Sequence, residues 1–273
     1  LRENCWTAAA VMLTANPADL MADTPEEARK LYRAVAELTQ LEDDDLNLSN
    51  ALDIESTIDE CSAGTVVDVS QMKDVSAAVE ALLKLRNGLE RAASEKGLEI
   101  PTLLEMVERI ELPDEVLDAL LEAFGEDGEL SEKKFPQLKE MRERIRELEA
   151  ACASTIKSVL ASGKYLNYLS DDGYMQIGGS YVLSVKPYHR NKVGKMVDES
   201  RSGRTVYVEP FEVVELSSEL IQLQRELKFT IRRILGRMCV AVSRCGDDLK
   251  DCLRAAGEVD LARARLFLGE DME

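Results

Sequence analysis

Aromatic residues make up only 5% of the 273 positions, with a single tryptophan, a single histidine and seven prolines. So few aromatics argue against a β-sandwich or barrel, whose strands favour aromatic and β-branched side chains. No run reaches the roughly 20 consecutive apolar residues that a membrane span requires, and the N-terminus lacks the basic-then-apolar layout of a secretory signal. The six cysteines, Cys5, Cys61, Cys152, Cys239, Cys245 and Cys252, contain no C-x-x-C pair, and His189 is the sole histidine, so no zinc site is expected. Cys245 and Cys252, seven residues apart on a helical stripe, suit two small core positions better than a disulfide, and a reducing compartment fits best. The chain opens at Leu1 and closes in a helical pattern, as expected of a piece of something longer.

Catalytic signatures are missing as well. Gly163-Lys164 and Gly194-Lys195 lack both the upstream glycine and the following Ser or Thr of a phosphate-binding loop, so this segment should not hydrolyse ATP. Ser70-Gln71-Met72-Lys73 has the spacing of a serine acyl-transferase nucleophile, but its companion motifs are absent and Ser70 falls where a helix cap is expected. His189, beside a proline turn, has no Ser, Cys or metal partner in sequence to support a general-base role. We expect no catalytic residue, no metal ligand and no cofactor in this segment.

What is present is charge and helical periodicity. Charged residues are 32% of the chain and apolar ones 45%, enough for a real core. The net charge of −18 is unevenly placed: residues 1–150 carry 35 acidic and 16 basic side chains, 151–210 carry 5 and 8, and 211–273 carry 12 and 10. Any contact with a polyanion is therefore expected between 151 and 210. Thr24-Pro25-Glu26-Glu27 has the form of a capping box with proline at the first helical position, opening a helix through Leu31, Val35 and Leu38. After an acidic break from Glu42 to Asp45, a helix through Leu52, Ile54 and Ile58 is expected. Gly64 to Val69 then connects to a helix capped by Ser70, further short helices open at Pro101 and Pro113, and Gly125 to Glu129 forms a polar turn.

Two later runs are more regular. Leu138, Met141, Ile145, Leu148, Cys152, Ile156 and Val159 keep a heptad spacing, and so does a second run from Val213 through Leu220, Leu227, Ile234 and Val242 to Val259. If continuous, the second is on the order of 70 Å long at 1.5 Å per residue, although Gly236, Gly246 and Gly257 allow two rods in series. Between the runs the period changes. Tyr181 to Val185, Val193 to Val197 and Thr205 to Val208 predict a three-stranded antiparallel meander, which must lean on the flanking rods. Its turns bear Lys186, Arg190, Lys192, Lys195, Arg201 and Arg204, candidate phosphate contacts or simply charges that protect strand edges. The expected fold is mainly α: an acidic helical core (1–135), a first rod helix (136–165), a small antiparallel β insert (166–210) and a second rod returning to the core (211–273).

The segment GGSYVLSVKPYHRNKVGKMVDESRSGRTVYVEPFEVVELSSEL, Gly178 to Leu220, resembles a signature of the second branch of the MutS-like proteins, found in bacteria and plastids. The likeness is dense at Tyr181-Val182-Leu183, Val185-Lys186, Asp198, Ser200, Ser202-Gly203, Thr205, Glu209-Pro210 and Val213 to Leu216, which includes Glu215. Elsewhere it is one of layout, ending in Glu258 to Leu266 (EVDLARARL), which resembles the end of the family's core before its ATPase. Where the family usually has an arginine and asparagine before the glycine, an arginine after it, a strand proline and a histidine before the aspartate, this sequence has Ile177, Gly178, Ser180, Ser184 and Val197. Fewer positive charges therefore line the meander.

The resemblance implies a non-catalytic lever-and-clamp segment of a homodimeric ATPase that uses ATP and Mg and often carries an Smr nuclease domain. The family is associated with mismatch-repair-like binding of branched DNA and restraint of recombination, or with quality control of stalled ribosomes, in the cytoplasm or a plastid. No membrane partner is implied. The alternative is a helical scaffold or dimerisation module whose acidic half docks proteins without touching nucleic acid.

Overall fold

The computed structural model describes residues 1–15, 20–22, 24–42, 46 and 53–270. Among them are ten α-helices and one four-stranded antiparallel sheet, a mainly α fold with a small β insert. No helix is long and apolar enough to cross a membrane. The chain divides into two compact units, Leu1–Lys134 with Arg233–Glu273, and Phe135–Arg232.

The first unit contains α1 (Ala8–Leu13), α2 (Pro25–Leu38), α3 (Glu55–Ser62), α4 (Val69–Glu95), α5 (Pro101–Glu108), α6 (Asp114–Leu120), the end of α9 (Phe211–Arg244) and α10 (Gly246–Glu270). Local chemistry sets the helix starts. Thr24 Oγ1 accepts from the Glu27 N–H at 3.2 Å ahead of Pro25, which has no N–H of its own to satisfy. The cap of α4 is Asp68, not Ser70. Its carboxylate accepts from Gln71 N at 2.9 Å while Gln71 Oε1 accepts from Asp68 N at 3.1 Å, a reciprocal box that leaves Ser70 inside the first turn. Of the acidic break and the helix expected after it, Asp43 to Asp45 and Leu52 lie outside the described residues. Gly125 N donates to Glu129 O at 2.9 Å, closing the polar turn beneath a Phe124–Leu130 bridge.

Helix α10 is the centre of this unit and packs against α1, α2, α3, α4 and α5. From Ala255 to Ala264 every side chain except that of Glu258 is buried, so this helix has no solvent face there. Small residues let its neighbours come close: a Cβ on Gly257 would lie 2.7 Å from Ala9 Cβ and 3.0 Å from Ala10 N. Two polar side chains accompany this apolar packing. Asp260, fully buried, accepts from the backbone N–H groups of Trp6 and Thr7 through Oδ2, both at 2.7 Å, and from Arg263 Nε through Oδ1 at 3.0 Å. Arg263 also donates to the Asn4 carbonyl, and its guanidinium lies 3.4 Å from the centroid of Trp6. The pair thus fastens the N-terminal segment to α10 with each charge compensated. Glu37 does similar work for α5, which has no cap of its own: its buried carboxylate accepts from Thr102 N and Leu103 N at 3.1 and 2.9 Å.

The second unit holds α7 (Pro136–Ala161), β1 (Leu169–Ile177), β2 (Ser180–Val185), the one-turn α8 (Arg190–Val193), β3 (Gly194–Glu199), β4 (Val206–Pro210) and the first part of α9. The strand order is β1-β2-β4-β3, all antiparallel, so the insert is not the three-stranded meander its apolar runs suggest. The additional strand, β1, is exposed over Ser170–Gly173 and bulged between Leu169 and Tyr174, which erases the alternation that marks a strand in sequence. It joins β2 through Gly178 and Gly179, both at positive φ, as a tight hairpin requires. Val193 belongs to α8, and β3 begins at Gly194 on the sheet edge, so β2 pairs with β4 instead.

The heptad stripe of α7 serves this sheet. Leu148, Cys152, Ile156 and Val159 share one buried cluster with Leu183, Val185, Val206 and Val208 from the strands and Val213 and Leu220 from α9. Helices α7 and α9 run antiparallel, with Lys164 bonded to Glu212 at 2.6 Å and Arg144 to Glu219 at 2.7 Å. The second heptad run is two helices, α9 and α10, interrupted at Cys245 next to Gly246, where a Cβ would come within 3.1 Å of Ile58. At 1.5 Å per residue α9 measures about 50 Å. Cys245 and Cys252 are buried free thiols, and burial pushes Cys252 up to about 11.

Two stability measurements follow from these contacts. Asp260→Ala leaves Arg263 buried without its counter-charge and two N–H groups without an acceptor, and is expected to lower the unfolding free energy in urea by about 3–5 kcal/mol. In the second unit, burial pushes Glu212 up, but hydrogen bonds from Lys164 and Tyr165 outweigh it and hold the carboxyl below its ordinary 4.5, while the bond to Glu212 raises Lys164 above 10.5. The Glu212 contribution is complete above the ordinary carboxylate value and is lost as pH falls through the lower folded value. The Lys164 contribution is complete below 10.5 and is lost as pH rises through its raised folded value. Glu212→Gln should therefore lower the melting temperature at neutral pH, with the difference from wild type vanishing in acid.

Candidate nucleic-acid interface

The six basic residues predicted to touch phosphate are all exposed, and the structure divides them into groups at opposite ends of the β3–β4 pair. Lys186, Arg190 and Lys192 lie on the link from β2 to β3, with Lys195 at the start of β3. Arg201 and Arg204 lie on the far turn, about 20 Å along the strand at ~3.3 Å per residue. Among the described residues none of the six forms an ion pair. From Gly173 to Val197 the sequence contains no Asp or Glu, whereas Asp198 and Glu199 stand close to Arg201 and Arg204. The link is consequently the one end where positive charge is undiluted.

Its shape is fixed from below. Lys186 N donates to Tyr168 O at 2.9 Å, and Pro187–His189 makes a single 3-10 turn in which His189 N donates to Lys186 O at 2.9 Å. Val193, fully buried, roots α8 in the core. Gly194 then crosses β4 so closely that a Cβ would sit 1.8 Å from the Glu209 carbonyl oxygen, a contact no other residue can make in place. Above this base the His189 ring stacks on Tyr168, with centroids 4.5 Å apart, and Tyr188 meets His189 edge-on at 5.1 Å. Lys192 Nζ lies 5.4 Å from the Tyr168 centroid, and Lys186 Nζ donates to Asn167 O at 3.1 Å. Arg190 reaches the Met196 sulfur at 3.9 Å.

The residues that carry the family resemblance are mostly structural in this setting. Tyr181 and Val185 are buried, and the Tyr181 hydroxyl donates to Glu149 O at 3.4 Å. Ser200, Ser202, Gly203 and Thr205 build the far turn: Ser200 N donates to Thr205 O at 2.9 Å, Thr205 N to Ser200 Oγ at 3.2 Å, and Gly203 N to Ser200 O at 2.8 Å. Asp198 accepts from Glu199 N at 2.8 Å, Glu209 is buried, Pro210 ends β4, and Glu215 is exposed on α9. Burial raises the Cys152 thiol, and the Glu209 carboxylate adds to that. The aromatic stack is the feature that sequence reading missed. Tyr168 and His189 are 21 positions apart, and only the β1–β2 hairpin brings them together. The cue available in sequence was the pair Tyr188-His189 set among Lys186, Arg190 and Lys192.

Among the described residues no group of three or more His, Cys, Asp or Glu side chains is arranged to hold a metal ion. No family model matches the chain. Curated relatives do. The chain is 27% identical over 224 residues to Endonuclease MutS2 of Halalkalibacterium halodurans, covering 82% of this chain and 28% of that protein. It is 26% identical over 218 residues to Endonuclease MutS2 of Clostridioides difficile, with 80% and 27% covered. For Endonuclease MutS2 of Symbiobacterium thermophilum it is 28% over 249 residues, with 90% and 30% covered. The chain thus spans less than a third of the length of the relatives it matches, while the match takes in residues of both compact units. The likeness first carried by Gly178 to Leu220 extends over most of the sequence, and the chain is a relative of the MutS2 proteins.

Proposed function

We propose that this segment is the non-catalytic lever-and-clamp part of a MutS-like ATPase, and that it contacts nucleic acid through the basic link between β2 and β3. The observation that supports this most is the acid-free stretch Gly173 to Val197, with four exposed cations that form no ion pair among the described residues, in a chain of net charge −18. Cations on turns, without a groove-reading helix, suit phosphate contacts that position a nucleic acid without reading its sequence. Helix α9 contributes residues to both units, which supports a lever role in which nucleotide state elsewhere in the protein biases the clamp.

In this reading ATP, Mg and the nuclease chemistry named for the relatives belong to other segments of the parent protein. The parent acts as a homodimer on branched DNA or on stalled ribosomes, in the cytoplasm or a plastid. The test is binding of a 20-base-pair duplex across a salt series by wild type and by the triple variant Arg190→Ala, Lys192→Ala, Lys195→Ala. A clamp contact predicts weaker binding and a log–log salt slope reduced by about 0.9 for each phosphate contact removed. Binding and slope unchanged by the triple substitution would favour a scaffold that docks proteins through its acidic half.

A further inference from the structure

We infer that Tyr188 is a stacking platform for an unpaired base, so that the basic link prefers single-stranded or unstacked nucleotides over intact duplex. The inference rests on the nucleic-acid reading above and specifies its ligand. Tyr188 is 87% exposed, the most exposed large hydrophobic side chain among the described residues, yet it sits on an ordered base and not at the tip of a long loop. Pro187 restricts the backbone before it, His189 meets it edge-on at 5.1 Å, and His189 is itself stacked on Tyr168. At that exposure the Tyr188 ring stays open to solvent even with the His189 contact, whose 85° interplanar angle is not a stack. Exposing a phenol this completely has no benefit for folding, because burial of an aromatic ring is favourable.

The surroundings specify what would cover it. Lys186 precedes the ring, and Arg190 and Lys192 follow it on α8. All three are exposed and without ion pairs among the described residues, and no carboxylate lies in sequence between Asp172 and Asp198. A flat π-face among cations suits a ligand that is itself flat and attached to phosphate. Bases within a duplex have both faces occupied by their neighbours, so duplex offers this site only its backbone. An unpaired base offers a face as well, and stacking of this kind is tolerant of sequence. Stacking would then add to the phosphate contacts, and the added part would fall on Tyr188 alone.

The test compares an oligo-dT 20-mer with a 20-base-pair duplex, using wild type, Tyr188→Ala, Tyr188→Phe and the double variant Arg190→Ala, Lys192→Ala. The expected result is tighter binding of oligo-dT than of duplex. Tyr188→Ala should weaken oligo-dT roughly five- to a hundredfold, leave duplex within about twofold, and be rescued by phenylalanine. The double variant should weaken both ligands. If it does so while Tyr188→Ala leaves oligo-dT binding intact, the stacking role is overturned and the phosphate contact stands. If wild type binds neither ligand at low salt, both readings fall together.

Discussion

A sheet of four short strands needs its apolar face covered, and everything in Phe135–Arg232 follows from how one layer of apolar side chains does so. That layer is shared three ways, by the α7 stripe around Cys152 and Ile156, by Leu183, Val185, Val206 and Val208 of the strands, and by Val213 and Leu220 of α9. Its demand explains why the helix pattern is so regular: the same side chains must meet strands along one face over several turns. It also explains why Gly194 is indispensable, since any Cβ there would separate β3 from β4 at the Glu209 carbonyl. With the apolar face committed to the core, the connections are left to water, and on the link from β2 to β3 they carry cations and an exposed tyrosine.

The first unit meets the same demand differently. Between Ala255 and Ala264 its central helix reaches solvent only at Glu258, so the two charged residues buried there, Asp260 and Arg263, have to be satisfied internally. Asp260 and Arg263 neutralise one another and spend their remaining hydrogen-bonding capacity on the backbone of Asn4, Trp6 and Thr7. A buried pair of this kind contributes more to specifying which segment docks on the helix than to net stability, because desolvation offsets much of its attraction. The N-terminal residues are thereby assigned one place on α10, with Gly257 permitting the close approach of α1.

Much of this was legible in sequence because it is local. Thr24-Pro25, Pro101 and Pro136 mark helix starts by their own backbone chemistry, and Tyr181 to Val185 announces a strand buried on both faces. The mainly α class with a small antiparallel sheet followed from those signals. What escaped depends on distant partners. Leu169-Ser-Asp-Asp-Gly carries no strand pattern because it is an exposed, bulged edge that owes its conformation to β2. Asp68 and Ser70 both suit a cap by composition, and the reciprocal bond with Gln71 decides between them. The strand order turns on Val193 being drawn into α8, and the ring stack requires Tyr168 and His189 to meet across a hairpin. In the candidate site, the charges and their place on separate turns were readable, and the ring stack beside them was not.

In a chain of net charge −18, the proposed contact requires nucleic acid to approach by the β2–β3 link and avoid the acidic unit. Hydrogen–deuterium exchange of the whole chain, with and without a saturating oligo-dT 20-mer at low salt, tests that most directly. The account predicts slowed exchange in residues 186–196, with 25–120 unaffected. Protection centred on helices of the first unit, with the 186–196 segment unchanged, would contradict it.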